Sequence, residues 1–163
     1  MGEPEDALST YLNDHDAGAE AALGMIEHLR KEHDDTPVAA FLATLHDEVA
    51  ADREVLGQVM DVLEVDRQRV KRVLANLAEK ASRLQLNVHT SGEALSLLMG
   101  LDTLTSGVSG KLALWQALES LAAVEPRLEG FDFAELRGRA QTQLDGIARQ
   151  RRAAAPAALA AGG

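Results

Sequence analysis

Three side chains in the first third of the chain, His15, Glu48 and Asp52, are of types that hold metal ions or move protons, and their spacing turns them toward one place. At about 100° per residue, His15 falls inside a stripe formed by Leu8, Leu12, Ala19 and Ala22, an unusual position for a titratable group. Asp52 lies at the centre of a second stripe, between Leu45, Leu56 and Val59, with Glu48 one turn earlier at its border. If these stretches fold back on each other around Asp35, residue 15 comes beside residues near 54, to within about one helical turn. Two chemistries follow. Asp52 orients or charges the imidazole in a buried hydrogen bond that fixes helix pairing. Alternatively, an imidazole and two carboxylates hold a metal ion, iron or manganese, as inward-facing carboxylates do in metal-binding bundles.

Other groups offer less. His28 and Glu32 have a His-x-x-x-Glu spacing but project from the polar side, and His33, His46 and His89 have no partner at a metal-ligand spacing. Glu20 and Glu27 share a solvated face. Asp102 lies at the edge of a later stripe, and Glu119 faces inward near a helix end. The last helix offers only Gln143 and Arg151 near its stripe, and neither replaces an anionic bridging ligand. No Gly-x-Ser-x-Gly, phosphate-cradling glycine loop or cysteine supplies a nucleophilic or phosphate site. No catalytic residue is assigned.

The elements that must position these groups are helices. Leu8, Tyr11, Leu12, Ala19, Ala22, Ile26 and Leu29 predict a helix over about residues 5 to 32. Thr36 and Pro37 mark the start of a second, whose stripe runs from Val38 to Leu63, and the short link makes the pair antiparallel. A shorter stretch from Asp66 to about Leu84 suits a crossover helix. Thr90 and Glu93 stand at capping-box spacing before a long helix through Leu97, Leu101, Leu104, Val108, Leu112, Trp115 and Leu118, in which Gly100, Gly107 and Gly110 suggest close helix approach or a kink. Pro126 and Gly130 break the chain, and Asp132 with Glu135 opens a last helix bearing Phe133, Leu136, Ala140, Leu144 and Ile147. The prediction is an all-α, antiparallel four-helix bundle with an additional crossover helix.

With 163 residues and 46% apolar content, one domain over residues 1–155 is expected, followed by a disordered alanine-rich tail over 156–163. A formal net charge of −10 argues against a nucleic-acid partner, and Arg149, Arg151 and Arg152 read as cations near a helix C-terminus. No apolar run approaches the roughly 20 residues of a membrane span, and the first residues are acidic, so a cytoplasmic protein without membrane contact is expected.

The runs YLNDHDAGAEAA (11–22), FLATLHDEVAADREVL (41–56) and GVSGKLALWQAL (107–118) sit in an arrangement that resembles the ferritin-like superfamily, especially bacterial proteins in which a short-linked hairpin is followed by a crossover and a second hairpin. The resemblance covers about residues 8 to 150. It implies that the first helix supplies a carboxylate, a position that His15 takes here, and the second a Glu-x-x-His pair, a position that Glu48 with Asp52 takes, with the same set repeated in the second hairpin. No Glu-x-x-His occurs anywhere in the chain, so a remodelled or lost di-iron site is the expectation. The function expected is that of a non-catalytic, cofactor-free bundle, homodimeric through apolar residues such as Leu114 and Leu121 that lie off the main stripe. The alternative is a metal-binding protein using His15, Glu48 and Asp52.

Overall fold

A computed structural model describes residues 4–67 and 92–160, and these form four long helices with no strand among them. Helix α1 spans Pro4–Glu32, α2 Pro37–Val62, α3 Glu93–Ala122 and α4 Phe133–Leu159. The predicted crossover helix lies outside the described residues beyond Arg67, as do His89 and Thr90.

Local chemistry explains the boundaries. Proline opens α2, where its missing N–H costs nothing. Thr36 is the N-cap residue, but its hydroxyl donates to the His33 carbonyl at 2.7 Å and so ties down the turn instead of the helix start. Gly92, with φ 85°, precedes α3; that left-handed backbone favours glycine. Between α3 and α4 the chain makes a single 3₁₀ turn, Pro126–Leu128, pinned by buried Leu128. Arg127 binds Glu125 beside it and holds that carboxyl down at about 2. The predicted cap of α4 is present: Asp132 accepts the Glu135 backbone N–H at 2.9 Å. Helix α4 then runs through Pro156 to Leu159, so the alanine-rich segment is helical there instead of a tail, and the arginines at 149, 151 and 152 sit well inside the helix. Proline is tolerated because it removes one backbone bond near the end of the helix.

Each helix packs on two neighbours. α1 touches α2 and α3, and α4 touches α3 and, more lightly, α2. Marker contacts set the directions. Ser96, at the start of α3, bonds Glu32 at the end of α1, whereas Glu64 just past α2 pairs with Arg127 just past α3, at 3.7 Å. α2 therefore ends at the opposite end of the bundle from the start of α3, and all four neighbouring pairs are antiparallel. Arg53 binds Asp16 at 2.9 Å, so the first hairpin has the register expected from its turn.

The core follows the predicted stripes, with one widening and one loss, Tyr11 being 38% exposed. Leu12, Ile26 and Leu29 of α1 meet Leu42, Leu45, Val49, Leu56 and Val59 of α2, while Leu101, Leu104, Val108 and Trp115 of α3 meet Leu136, Ala140 and Ile147 of α4. Leu114, expected on the surface, is 2% exposed, and Leu121 is half-buried against the core. Because α3 is covered by α1 on one side and α4 on the other, its buried face is wider than one stripe. At Gly100 a Cβ would stand 2.7 Å from the Leu29 side chain, and at Gly146 2.8 Å from the Phe41 ring, so both are sites of close helix approach. Gly107 and Gly110 are not: a Cβ at either meets nothing within 4 Å.

Candidate functional site

Asp52 is 1% exposed, and its hydrogen-bond partners come from α3 and α4. Lys111 of α3 donates from Nζ to Oδ2 at 2.5 Å, Gln143 of α4 donates from Nε2 to the same oxygen at 3.3 Å, and Arg139 of α4 donates from Nε to Oδ1 at 2.7 Å and also from Nη2. Lys111 completes the ring by donating to Gln143 Oε1. Both carboxylate oxygens and the amide oxygen are thereby used, so Asp52 has its lone pairs paired as a buried charge requires. Burial pushes the Lys111 ammonium below its ordinary lysine value, while the adjoining Asp52 carboxylate opposes that shift.

The helices place these groups as follows. Asp52 points inward because it shares its face of α2 with Leu45, Val49, Leu56 and Val59, all buried. Lys111 falls between Val108 and Trp115 on α3, and Gln143 between Ala140 and Ile147 on α4, each within a run of buried positions. Arg139 reaches in from a partly exposed position, its side chain 32% accessible.

His15 and Asp52 both line one cleft between α1 and α3, as the hairpin register predicts, but Asp52 spends its hydrogen bonds on Lys111, Arg139 and Gln143. The expected lock between imidazole and aspartate is thus replaced by a lock between aspartate and two cations on the second hairpin. His15 instead meets the Tyr11 ring edge-on, centroids 4.7 Å apart, and burial lowers its pKa, with Asp14 opposing. Glu48 is half-buried, and its field reaches Lys111. Among the described residues no group of three or more His, Cys, Asp or Glu side chains gathers closely enough to hold a metal ion. Asp102 and Glu119 stand on the surface, Asp102 bound by Arg151 and Glu119 by Arg137, so Glu119 does not face inward.

Lys111 and Arg139 are the residues that sequence reasoning passed over. A signal for Lys111 was present: the buried positions 104, 108, 115 and 118 of α3 leave 111 as the inward position between them. For Arg139 the pattern is silent, since its side chain starts outside the stripe and bends toward the core.

The cleft beside this network has a volume of about 230 Å³. Its walls are Gly18, Ala19 and Ala22 on α1 and Gly107 and Gly110 on α3, with Trp115 and Lys111 also lining it. Trp115 is 1% exposed, and its indole Nε1–H has no hydrogen-bond partner among the described residues. The helices that touch at Leu29 and Gly100 are here faced with side chains too small to fill the space between them. No known family model matches the chain, and no match was found among curated proteins or among solved structures.

Proposed function

We propose that this chain is a ferritin-like bundle in which a cation carried by the protein stands where metal-binding relatives of that architecture hold their ions, and that it works without catalysis. Two features support the reading. Its two antiparallel hairpins, joined end to opposite end, follow the order expected of that superfamily. All four helices also direct polar groups toward the middle of the bundle, where di-iron bundles project their carboxylates and histidines: His15, Asp52, Lys111 and Gln143.

The observation that carries the proposal is the Lys111 ammonium on the Asp52 carboxylate, with Arg139 on its other oxygen. A divalent ion placed against Asp52 would face two positive charges at close range and would have to displace them, and the half-buried Glu48 is one further charge against two. Of the two residues that motivated a homodimer, Leu114 is buried and Leu121 half-buried, and the proposal is made for the single chain.

Elemental analysis of protein purified without chelator tests it. Iron and manganese should fall far below one per chain and should not rise after incubation with either ion and desalting. One equivalent of tightly held metal, lost in His15→Ala, would overturn the proposal in favour of a metal-binding protein using His15, Glu48 and Asp52.

A further inference from the structure

We propose that the cleft between α1 and α3 binds a small primary amine with a hydrocarbon body of about eight carbons, its ammonium group held by Asp14 and His15 and its chain lying along the apolar wall. The Asp52 network forms part of the floor of this cleft but gives no group to the ligand, so the inference holds whether or not that network stands in place of a metal centre.

The space comes first. A volume of about 230 Å³ is room for roughly eight water-sized units. Leu29 meets Gly100 just beyond the cleft, and counting down α1 and up α3 from that contact gives the level of each wall residue. Gly18 comes level with Gly110 and Lys111, Ala22 with Gly107, and Asp14 and His15 with Leu114 and Trp115. Small residues therefore face each other across the middle of the cleft, and a Cβ at Gly18, Gly107 or Gly110 would still meet nothing within 4 Å. Ile26, Leu104, Val108 and Leu114 make much of the remaining wall apolar, which suits a hydrocarbon body.

The polar groups then select the ligand's head. Most are engaged: Arg53 holds Asp16 and Glu20, and Lys111 and Arg139 hold Asp52. Asp14 and His15 line the cleft with no hydrogen bond or ion pair among the described residues, and both are accessible, Asp14 exposed and His15 half-buried. Burial favours the uncharged imidazole, which keeps a nitrogen lone pair to accept with. A carboxylate and a neutral imidazole side by side accept from an ammonium, whereas an anionic ligand would meet Asp14 as a like charge. The wider balance agrees. Asp16, Glu20, Glu48 and Asp52 oppose Arg53, Lys111 and Arg139 around the cleft, and Asp14 adds a fifth anion against these three cations.

Calorimetric titration of the full chain with n-octylamine at about pH 7.5, where an alkylamine is charged, tests the proposal. One amine per chain should bind, about five-fold more tightly than 1-octanol, and octanoate should bind more weakly than either. Asp14→Asn should weaken octylamine about five-fold and leave 1-octanol within about two-fold. Gly110→Leu and Gly18→Leu, one from each wall, should keep a cooperative melt and weaken both octylamine and 1-octanol about ten-fold. Neither changes the charge of the chain, so an amine merely adsorbed to the acidic surface would bind both variants as it binds the parent, and that result would overturn the proposal. So would the absence of saturable heat up to about 10 mM octylamine, 1-octanol binding as tightly as octylamine, or an Asp14→Asn variant that holds the amine undiminished.

Discussion

Replacing Asp52 by asparagine keeps the size of the side chain and removes its charge, leaving Lys111 and Arg139 facing a neutral amide. Breaking a buried ion pair by removing one partner costs about 3–5 kcal/mol, because the remaining charge is left uncompensated. The two cations here are unequal in that respect. The Lys111 side chain is 13% exposed and lines the cleft between α1 and α3, whereas the Arg139 side chain, 32% exposed, can turn outward. The loss should therefore lie at the lower end, about 3 kcal/mol. In urea, with a slope of about 2 kcal/mol/M for a chain of this size, the unfolding midpoint should fall by about 1.5 M with the slope unchanged. Lys111→Met in the same chain should recover most of that loss, because the stranded ammonium is gone, and the two substitutions should show a coupling of about 2 kcal/mol. A loss below about 1 kcal/mol for Asp52→Asn, or strictly additive costs in the double-mutant cycle, would refute the view that this network holds the two hairpins together.

Three further outcomes follow from the same geometry. Gly100→Ala should destabilise by about 1–2 kcal/mol, since the new methyl runs into the buried Leu29 side chain, while Gly107→Ala should stabilise by about 0.5–1 kcal/mol; thermal melts should show shifts of opposite sign. Burial lowers the His15 pKa, so the folded state binds its proton less readily than the unfolded chain; that stability is complete above about pH 6.5 and is lost as pH falls through the lower folded value. Urea midpoints taken between about pH 7.5 and 5 should decline less steeply in His15→Gln than in the parent. Asp132→Ala should cost about 1 kcal/mol in urea unfolding, because the Glu135 N–H loses its acceptor at the start of α4.

Much of the fold was legible because it is written locally. The Thr36–Pro37 start, the Pro126 to Gly130 break and the Asp132 cap depend on backbone chemistry within a few residues, and each lies where those residues predict. The inward direction of Asp52 was legible too, since a helix repeats every 3.6 residues whatever it packs against. What it would touch was not. The contacts of Asp52 lie 59 to 91 residues away in sequence, on α3 and α4, and no spacing along α2 reports the register of helices that meet only after folding. The same limit misplaced Leu114. A single apolar stripe describes a helix with one covered side, whereas α3 is covered on two, and only the assembled neighbours reveal that.

By itself, then, the sequence determined where the described helices begin, where α1, α2 and α3 stop and the main inward face of each, because turn chemistry and helical periodicity act at short range. Tertiary packing alone decided that the buried aspartate pairs with a lysine and an arginine instead of a histidine, and that small residues on α1 and α3 leave a cleft beside Trp115. The reason is physical. Both features depend on how deeply non-consecutive helices approach, and that is set by side-chain contacts such as Leu29 on Gly100 and Phe41 on Gly146.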